Sequence, residues 1–396
     1  VVGLLASEVY GHPSDGLTML GVTGTNGKTT VTYLLDAALR AAGRVTGVIG
    51  TVETRLGDEV LSSVRTTPEA TDLQALLAVA RERGVDVMSM EVSSHALAQH
   101  RVDGVTYDVG IFTGLSQDHL DYHGTMERYF AAKASLFDAS RCRNAVVCLD
   151  DGWGTRLAEG LHVPLITYST GGNPRAHWQA TDVTGDARGS RFRARGPAGE
   201  DILVQVRLPG LFNVANALAA LAALASLGLD ADQVAAGIGS AAGIPGRLER
   251  VEAGQSFAAL VDYAHTPDAV EQVLSALRPL TAGRLVIVLG AGGDRDPGKR
   301  PAMARAAVQG SDLAVLTSDN PRSEDPLAIL SQLADGLTGD FVVEADRTAA
   351  IALAARDLGP GDTLLVAGKG HETGQEVAGV VHPFDDRDAL RQAIAP

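Results

Sequence analysis

The segment GTNGKTT at residues 24–30 combines glycines, one lysine and a hydroxyl in a pattern suited to phosphate chemistry. It follows an apolar stretch at 17–22, typical of a strand, and opens a stretch at 30–41 with helical periodicity. Glycines let successive N–H groups turn toward a phosphate, and a helix N-terminus adds partial positive charge. We therefore predict that Lys28 neutralises the β- and γ-phosphates of ATP, while the Thr29 hydroxyl ligates Mg²⁺. The predicted loop comprises Gly24, Thr25, Asn26, Gly27, Lys28, Thr29 and Thr30, with Val22 in place of the first glycine of the strict pattern.

Glu91 is the second candidate for chemistry. It ends the apolar stretch at 85–90, and ligands of doubly wound folds bind at the carboxyl edge of a parallel sheet. Glu91 is therefore predicted to hold Mg²⁺, the alternative being an ordinary polar residue at a strand end. The histidine-rich loop DHLDYH at 118–123 could suggest zinc, but it has no cysteine, and Mg²⁺ prefers oxygen ligands.

Lys133 lies among alanines and a leucine in the stretch at 125–137, for which we predict a helix. An apolar setting lowers the pKa of a lysine and favours the neutral amine, which can react with CO₂. Only four of the 33 basic residues are lysines, namely Lys28, Lys133, Lys299 and Lys369. These positions could therefore require a compact or titratable amine, the alternative being chance retention.

The elements that position these residues predict an α/β fold. Apolar stretches alternate with helical ones, which indicates a mostly parallel sheet covered on both faces, of the kind that carries a phosphate loop. Alternating residues at 176–208 predict a small antiparallel sheet after it, followed by a buried helix within 208–229. A Gly/Pro cluster near 242–246 marks a boundary, beyond which a second strand-helix series predicts a Rossmann-like domain. The predicted strands are 17–22, 45–49, 85–90, 109–112, 145–149 and 165–168, then 258–262, 285–289, 313–317, 341–344 and 363–367.

Composition limits the classes of function. The 396 residues suggest two or three domains, and a net charge of −15 argues against nucleic-acid or anionic-membrane partners. We expect no membrane span and no secretion signal. The two cysteines, Cys142 and Cys148, lack metal-ligand spacing, which favours a reducing compartment and thus the cytoplasm.

Taken together, these segments resemble the Mur ligases, in particular the branch that adds diaminopimelate. The resemblance runs over essentially the whole chain and rests on ordered motifs: GTNGKTT (24–30), TTPE (66–69), MEVSSHAL (90–97), DHLDYHG (118–124), LPGLFNVANALAAL (208–221), DYAHTPDA (262–269), GGDRDPGKRP (292–301), DNPR (319–322) and GKGHE (368–372). It implies three regions: the end of an N-terminal UDP-binding domain at 1–14, a central ATP-binding domain at 15–243, and a Rossmann-like amino-acid-binding domain at 244–396.

The resemblance also implies roles for individual residues. Lys133 would be carbamylated and would hold Mg²⁺ together with His119, beside Thr29 and Glu91. His265 would lie close to ATP, where it could act as a base. Contacts to the nucleotide-linked peptide would come from Thr66, Thr67, Ser93, Gln99 and Arg101, and contacts to ATP from Asn213, Arg247 and Asp262. Arg65, before Thr66, departs from the neutral amide expected there.

The DNPR stretch is implied to select the amino acid. A diaminopimelate pocket would comprise Arg295, Asp319, Asn320, Pro321, Arg322, Gly368 and Glu372. Arg322 offers a planar fork to a carboxylate, and a ligand without that carboxylate would leave it desolvated and unpaired. As an isolated tetrapeptide, DNPR is more often a plain turn.

The expected activity is that of a monomeric, ATP- and Mg²⁺-dependent amide ligase. It would join meso-diaminopimelate to UDP-N-acetylmuramoyl-L-alanyl-D-glutamate through an acyl phosphate. The alternatives are a ligase for LL-diaminopimelate or lysine, another ligase of the superfamily such as folylpolyglutamate synthase, and a nucleotide-binding fragment with impaired catalysis.

Overall fold

The computed structural model describes residues 1–61, 65–186 and 188–395 and contains two large sheets. The strands of the first are β1 Thr18–Thr23, β2 Thr46–Ile49, β3 Thr54–Leu56, β4 Glu59–Leu61, β5 Val87–Glu91, β6 Tyr107–Phe112, β7 Cys142–Cys148, β8 Leu165–Ser169, β9 Trp178–Asp186, β10 Gly189–Arg195 and β11 Asp201–Val206. The second comprises β12 Glu249–Arg250, β13 Ala258–Asp262, β14 Leu285–Ala291, β15 Leu313–Ser318, β16 Phe341–Val343 and β17 Thr363–Ala367, and a hairpin follows with β18 Gly374–Val377 and β19 Val380–Pro383.

Helices connect and cover these strands. They are α1 Val2–Val9, α2 Lys28–Ala41, α3 Ala70–Glu82, α4 Ser94–Ala98, α5 Leu120–His123, α6 Met126–Ala134, α7 Gly152–Gly160, α8 Leu211–Ser226, α9 Ala231–Ser240, α10 Pro267–Leu277, α11 Arg300–Gly310, α12 Pro326–Ala334, α13 Arg347–Ala355 and α14 Asp386–Ile394. Across the described ranges, none of them is both long and apolar enough to cross a bilayer.

The first sheet has the strand order β11-β10-β9-β8-β7-β6-β1-β5-β2-β3-β4 in the described part of the chain. Strands from β9 to β2 in this order run parallel, and both ends of the sheet are antiparallel. Alternate residues of β1 enter opposite cores, because successive side chains of a strand point to opposite faces. Leu20 and Val22 pack with α2, α8 and α9, while Met19 packs with α3.

The second sheet has the order β12-β13-β17-β14-β15-β16, parallel except for β12. Its central strands are buried on both faces, with α10, α11 and α12 on one side and α13 and α14 on the other. The predicted α/β class with two mostly parallel sheets is therefore confirmed. The predicted division at residues 243 and 244 stays a prediction.

Three local features differ from the sequence-based expectations. The antiparallel strands β9 to β11 are present, but they extend the large sheet through the parallel pairing of β8 with β9 instead of forming a separate sheet. Residues 2–9 form a helix that the sequence analysis did not predict. The hairpins β3–β4 and β18–β19 were also missed, because three- or four-residue strands give too few positions for a period to show.

Candidate functional site

A cavity of about 550 Å³ lies where the carboxyl ends of the two sheets face each other. Polar contacts among the described residues link the two sides in its neighbourhood. Arg247 Nη2 donates to Thr29 Oγ1 at 2.9 Å, and Asn26 Nδ2 donates to Asp268 Oδ2 at 3.1 Å. Lys299 Nζ lies 3.5 Å from Asp118 Oδ1. Because residues from both sheets line the cavity, a ligand within it can contact both at once.

The loop between β1 and α2 is held in a fixed shape. Gly24 and Gly27 have φ values of 150° and 87°, which side-chain-bearing residues rarely adopt. A Cβ at Gly24 would overlap the Thr113 hydroxyl, which itself donates to Asn26 O at 2.6 Å. Gly27 precedes α2 and supplies no side-chain cap, so the described residues leave the first N–H groups of this helix available to an anion. This geometry suits the predicted phosphate loop.

Lys28 lies at the first position of α2 and folds back over the loop. Its Nζ donates to Gly24 O at 3.0 Å and to Thr25 O at 2.8 Å. Burial lowers the pKa of Lys28, while the negative charges of Glu91 and Asp118 oppose this shift. The two hydrogen bonds hold Lys28 Nζ against the backbone of the predicted phosphate loop.

Glu91 ends β5 next to the start of α2 and is 1% exposed. Its Oε1 accepts from Thr29 Oγ1 at 3.0 Å and from the Thr51 N–H at 2.8 Å, and its Oε2 accepts from Thr51 Oγ1 at 3.0 Å. The structure thus brings together two predicted metal ligands, Thr29 and Glu91. Both are hard oxygen donors of the kind Mg²⁺ prefers.

Lys133 lies on the buried face of α6, which begins after the capping residue Thr125. Its Nζ donates to Gly24 O at 2.8 Å and lies 4.7 Å from the centre of the Tyr129 ring. Burial, followed by the positive charge of Lys28, holds the pKa of Lys133 well below its usual value. The predicted neutral amine therefore fits its surroundings, and it is the form that reacts with CO₂.

His119 lines the same cavity in a left-handed conformation, with φ 54°. Burial lowers its pKa to about 3, against the opposing charge of Asp118. Within the described ranges, no three His, Cys, Asp or Glu side chains are grouped so as to hold a metal. The predicted Mg²⁺ set therefore depends on the Thr29 hydroxyl and on a carbamate at Lys133, in addition to Glu91 and His119.

Of the residues predicted to contact the nucleotide-linked peptide, Thr67 lies directly against Glu91. Thr67 Oγ1 donates to Glu91 O at 2.8 Å and accepts from Ser93 N at 3.1 Å. Thr66, Thr67, Ser93 and Arg101 line the cavity, and so does Arg65. Gln99 is not among its lining residues, and its Oε1 instead accepts from Arg101 Nη2. Gln99 therefore orients Arg101 from outside the cavity.

The three residues predicted to contact ATP outside the phosphate loop come from separate elements. Asn213 lies on α8, Arg247 precedes β12 and Asp262 ends β13. Asn213 Nδ2 donates to Pro209 O at 2.8 Å, and the Arg247 guanidinium lies 4.7 Å from the centre of the Tyr263 ring. Both oxygens of Asp262 accept backbone N–H groups, from Leu248 at 2.7 Å and Ala264 at 2.8 Å. Burial raises the pKa of Asp262. Asp262 thus shapes the backbone beside the cavity that it lines.

His265 lines the cavity with its Nδ1 2.7 Å from Tyr263 O. A proton on Nδ1 satisfies that contact and leaves Nε2 as the acceptor. Burial, together with the positive charge of Lys299, lowers the pKa of His265 to about 4. The imidazole is therefore neutral near pH 7 and a weak base.

The DNPR stretch follows β15 and meets the residues after β17. Asn320 Nδ2 donates to Glu372 Oε2 at 2.7 Å. Arg322, with φ 52°, donates from Nη1 to Gly293 O at 2.7 Å and lies 3.5 Å from Glu376. The cavity lining includes Arg295, Asp319, Asn320, Arg322, Gly368 and Glu372. Pro321 is not in that lining, and neither is Gly24 of the phosphate loop.

Sequence reasoning missed several residues of this site. Thr51 follows β2 and holds both oxygens of Glu91, and its position after a strand end was the available signal. Gln375 Nε2 donates to Asp319 O at 2.7 Å, and nothing local in the sequence marks it. Composition singles out Lys369 only as one of four lysines, yet its side chain is fully buried beside Asn320 and Glu372.

Most of this chain matches the models of two known protein domains. The model of the Mur ligase middle domain matches residues 22–224, and the model described as "Mur ligase, glutamate ligase domain" matches residues 246–370. The chain belongs to the Mur ligase family. The resemblance inferred from the motifs is thus confirmed.

Individual relatives of this Mur ligase agree with that assignment. A protein of Streptomyces coelicolor named UDP-N-acetylmuramoyl-L-alanyl-D-glutamate--2,6-diaminopimelate ligase is 55% identical over 400 residues, covering 99% of this chain and 79% of its own length. A solved structure of a ligase with that name is 36% identical, with a TM-score of 0.67, and covers 96% of this chain and 78% of its own. Folylpolyglutamate synthase of Mycobacterium tuberculosis, 19% identical, has a TM-score of 0.74 over 93% of this chain and 92% of its own, which shows a shared fold.

Proposed function

We propose that this Mur ligase joins diaminopimelate to UDP-N-acetylmuramoyl-L-alanyl-D-glutamate, using ATP. The observation that carries the proposal is the single cavity shared by the phosphate loop, Lys133 and the DNPR residues. The names of its relatives support the choice of both substrates.

The first step is transfer of the γ-phosphoryl group of ATP to the terminal carboxylate of the peptide. A carboxylate oxygen bonds to the γ-phosphorus as the bond to the bridging oxygen breaks, which gives an acyl phosphate and ADP. Lys28 and the N-terminus of α2 hold these anions together and balance charge during the transfer. The threonines near Glu91, with Ser93 and Arg101, orient the peptide.

We propose that Thr29, Glu91, His119 and carbamylated Lys133 hold Mg²⁺ beside this step. The oxygen donors Thr29 Oγ1 and Glu91 Oε1 already lie 3.0 Å apart, and the buried Lys133 amine is suited to carbamylation. Bound Mg²⁺ supplies charge neutralisation to the phosphate oxygens.

In the second step, an amino group of diaminopimelate attacks the acyl carbon. A C–N bond forms, the C–O bond to phosphate breaks, and phosphate leaves with the electron pair. The amine must also lose a proton, for which we propose Nε2 of His265 as the acceptor. Arg322 and Arg295 bind the distal carboxylate, while Asp319 and Glu372 accept from ammonium groups.

ADP release measured with meso-diaminopimelate, LL-diaminopimelate and lysine in turn tests this proposal. We expect release that requires the UDP-linked dipeptide and is fastest with the meso isomer. Release with lysine but neither isomer would assign a lysine-adding ligase, and no amino-acid-dependent release would assign an impaired nucleotide-binding fragment. The free cysteines Cys142 and Cys148 support the further proposal of a cytoplasmic protein. The monomeric state and the three-region division stay predictions.

A further inference from the structure

We propose that Lys369 is a positioning residue that adjusts the charge of the amino-acid subsite and thereby favours diaminopimelate over lysine. This inference rests on the proposed function and adds a determinant of its specificity. Lys369 follows β17 and Gly368, and its side chain is fully buried. It is not among the side chains that line the cavity. Lys369 must therefore act through the cavity-lining residues that it contacts, Asp319, Asn320 and Glu372.

Among the described residues, the ammonium of Lys369 has three partners, all of them in the predicted subsite. Its Nζ lies 3.0 Å from Asn320 Oδ1, 3.1 Å from Glu372 Oε2 and 3.8 Å from Asp319 Oδ1. An ammonium has three N–H groups. One cation thus holds the amide and both carboxylates in place.

These contacts fix the orientation of the Asn320 amide. Its Oδ1 accepts from Lys369 Nζ and from the Glu376 N–H, each at 3.0 Å. Its Nδ2 consequently faces Glu372 Oε2, to which it donates at 2.7 Å. Lys369 and Asn320 both donate to Oε2 of Glu372. None of the hydrogen bonds found among the described residues uses Oε1, so this oxygen is left for a ligand.

The buried charge also changes which amino acid the subsite favours. Diaminopimelate has two ammonium and two carboxylate groups, so its net charge at neutral pH is zero. Lysine lacks the distal carboxylate and carries one more positive charge. Without Lys369, Asp319 and Glu372 lose their shared cation, and the subsite becomes more negative by one charge. Such a subsite repels the distal carboxylate and attracts the more cationic ligand.

Lysine suits this position better than arginine, although arginine predominates elsewhere in the chain. A guanidinium is larger and planar, and a fully buried pocket that contacts three acceptors around a point charge suits a compact ammonium. Retention of lysine at this position thus has a structural reason.

The test compares Lys369→Met with the wild type and with a control, Arg278→Met. Methionine keeps an unbranched apolar stem without the charge or the donors. Arg278 pairs with Asp312 at 2.6 Å and donates to Gly283 O, at the opposite end of the second sheet. The control variant therefore loses a basic side chain of the same domain without altering the subsite.

Two measurements are made for each protein: kcat/KM for ADP release, and calorimetric binding of each amino acid in the presence of an ATP analogue. We expect Lys369→Met to lower the diaminopimelate-to-lysine ratio at least about tenfold, with KM for ATP unchanged. The control should keep the wild-type ratio. A diaminopimelate-to-lysine ratio that is unchanged in Lys369→Met would overturn the inference, whether the values for both amino acids fall equally or neither falls.

Additional measurements distinguish a variant that does not fold, and a wild-type protein without the proposed function, from a failure of the inference about Lys369. Thermal melting and ATP-analogue binding report folding, and Lys369→Gln replaces the methionine variant if that protein does not fold. A wild-type protein without diaminopimelate-dependent ADP release refutes the proposed function. The binding ratio still decides the role of Lys369 in that case, because it does not depend on turnover.

Discussion

Replacement of Lys28 by alanine is the most direct test of the phosphate-loop assignment. In the structure, Lys28 Nζ donates to two carbonyl oxygens of the loop, at 3.0 and 2.8 Å. If two of its N–H groups turn to phosphate oxygens, each contributes about 1.5–3 kcal/mol, the range for hydrogen bonds to charged groups. Their loss corresponds to roughly 3–6 kcal/mol, or about 10²- to 10⁴-fold in kcat/KM.

The assay is coupled ADP release with saturating dipeptide and diaminopimelate. Arg40→Ala is the matched control, because Arg40 lies on the same helix and its only ion pair within the described residues, with Asp58, is exposed. An exposed pair contributes at most about 1 kcal/mol to stability, and Arg40 is at the far end of α2 from the phosphate loop. The Arg40→Ala variant should therefore keep wild-type activity. A melting temperature like that of the wild type, combined with less than about threefold loss in Lys28→Ala, would refute the assignment.

Three further predictions concern other buried groups. Lys133→Ala should lose ADP release and regain part of it with a short carboxylate such as acetate, because the carboxylate replaces the carbamate; wild-type activity in the variant would contradict this. The free energy of unfolding, from urea titrations, should fall as the pH drops from about 6.5 to about 4, because burial lowers the pKa of His265 and of His371 to about 4 and the unfolded chain then binds more protons. A constant value across that window would disprove it. Arg347→Met should lower the free energy of unfolding by about 3–5 kcal/mol, because Arg347 and Asp386 form a fully buried pair at 2.7 Å and the carboxylate would lose its partner. Adding Asp386→Leu should recover much of that loss, and an equally unstable double variant would argue against the cause given.

The accuracy of the sequence-based predictions depended on whether the signal was local. Strands 258–262 and 363–367 have the predicted bounds, because apolar residues buried on both faces form short uninterrupted runs. Helix α2 begins at Lys28, two residues before the predicted start, since Gly27 ends the loop without a side-chain cap. The pairing of β8 with β9 could not be predicted, because periodicity gives a strand its faces and not its neighbours.

The same distinction separates the residues of the site. By itself, the sequence determined the two-series α/β architecture, the GTNGKTT loop and the family, since each of these depends on order and spacing along the chain. Only the tertiary structure decided that Thr51 holds Glu91, that Gln99 lies outside the cavity and that Lys369 lies beneath Asn320. The contacts of Thr51 and Lys369 join segments that are distant in sequence. The position of Gln99 depends on the direction of its side chain, which the order of residues does not specify. Burial, which lowers the pKa of Lys133, likewise exists only once both cores have formed.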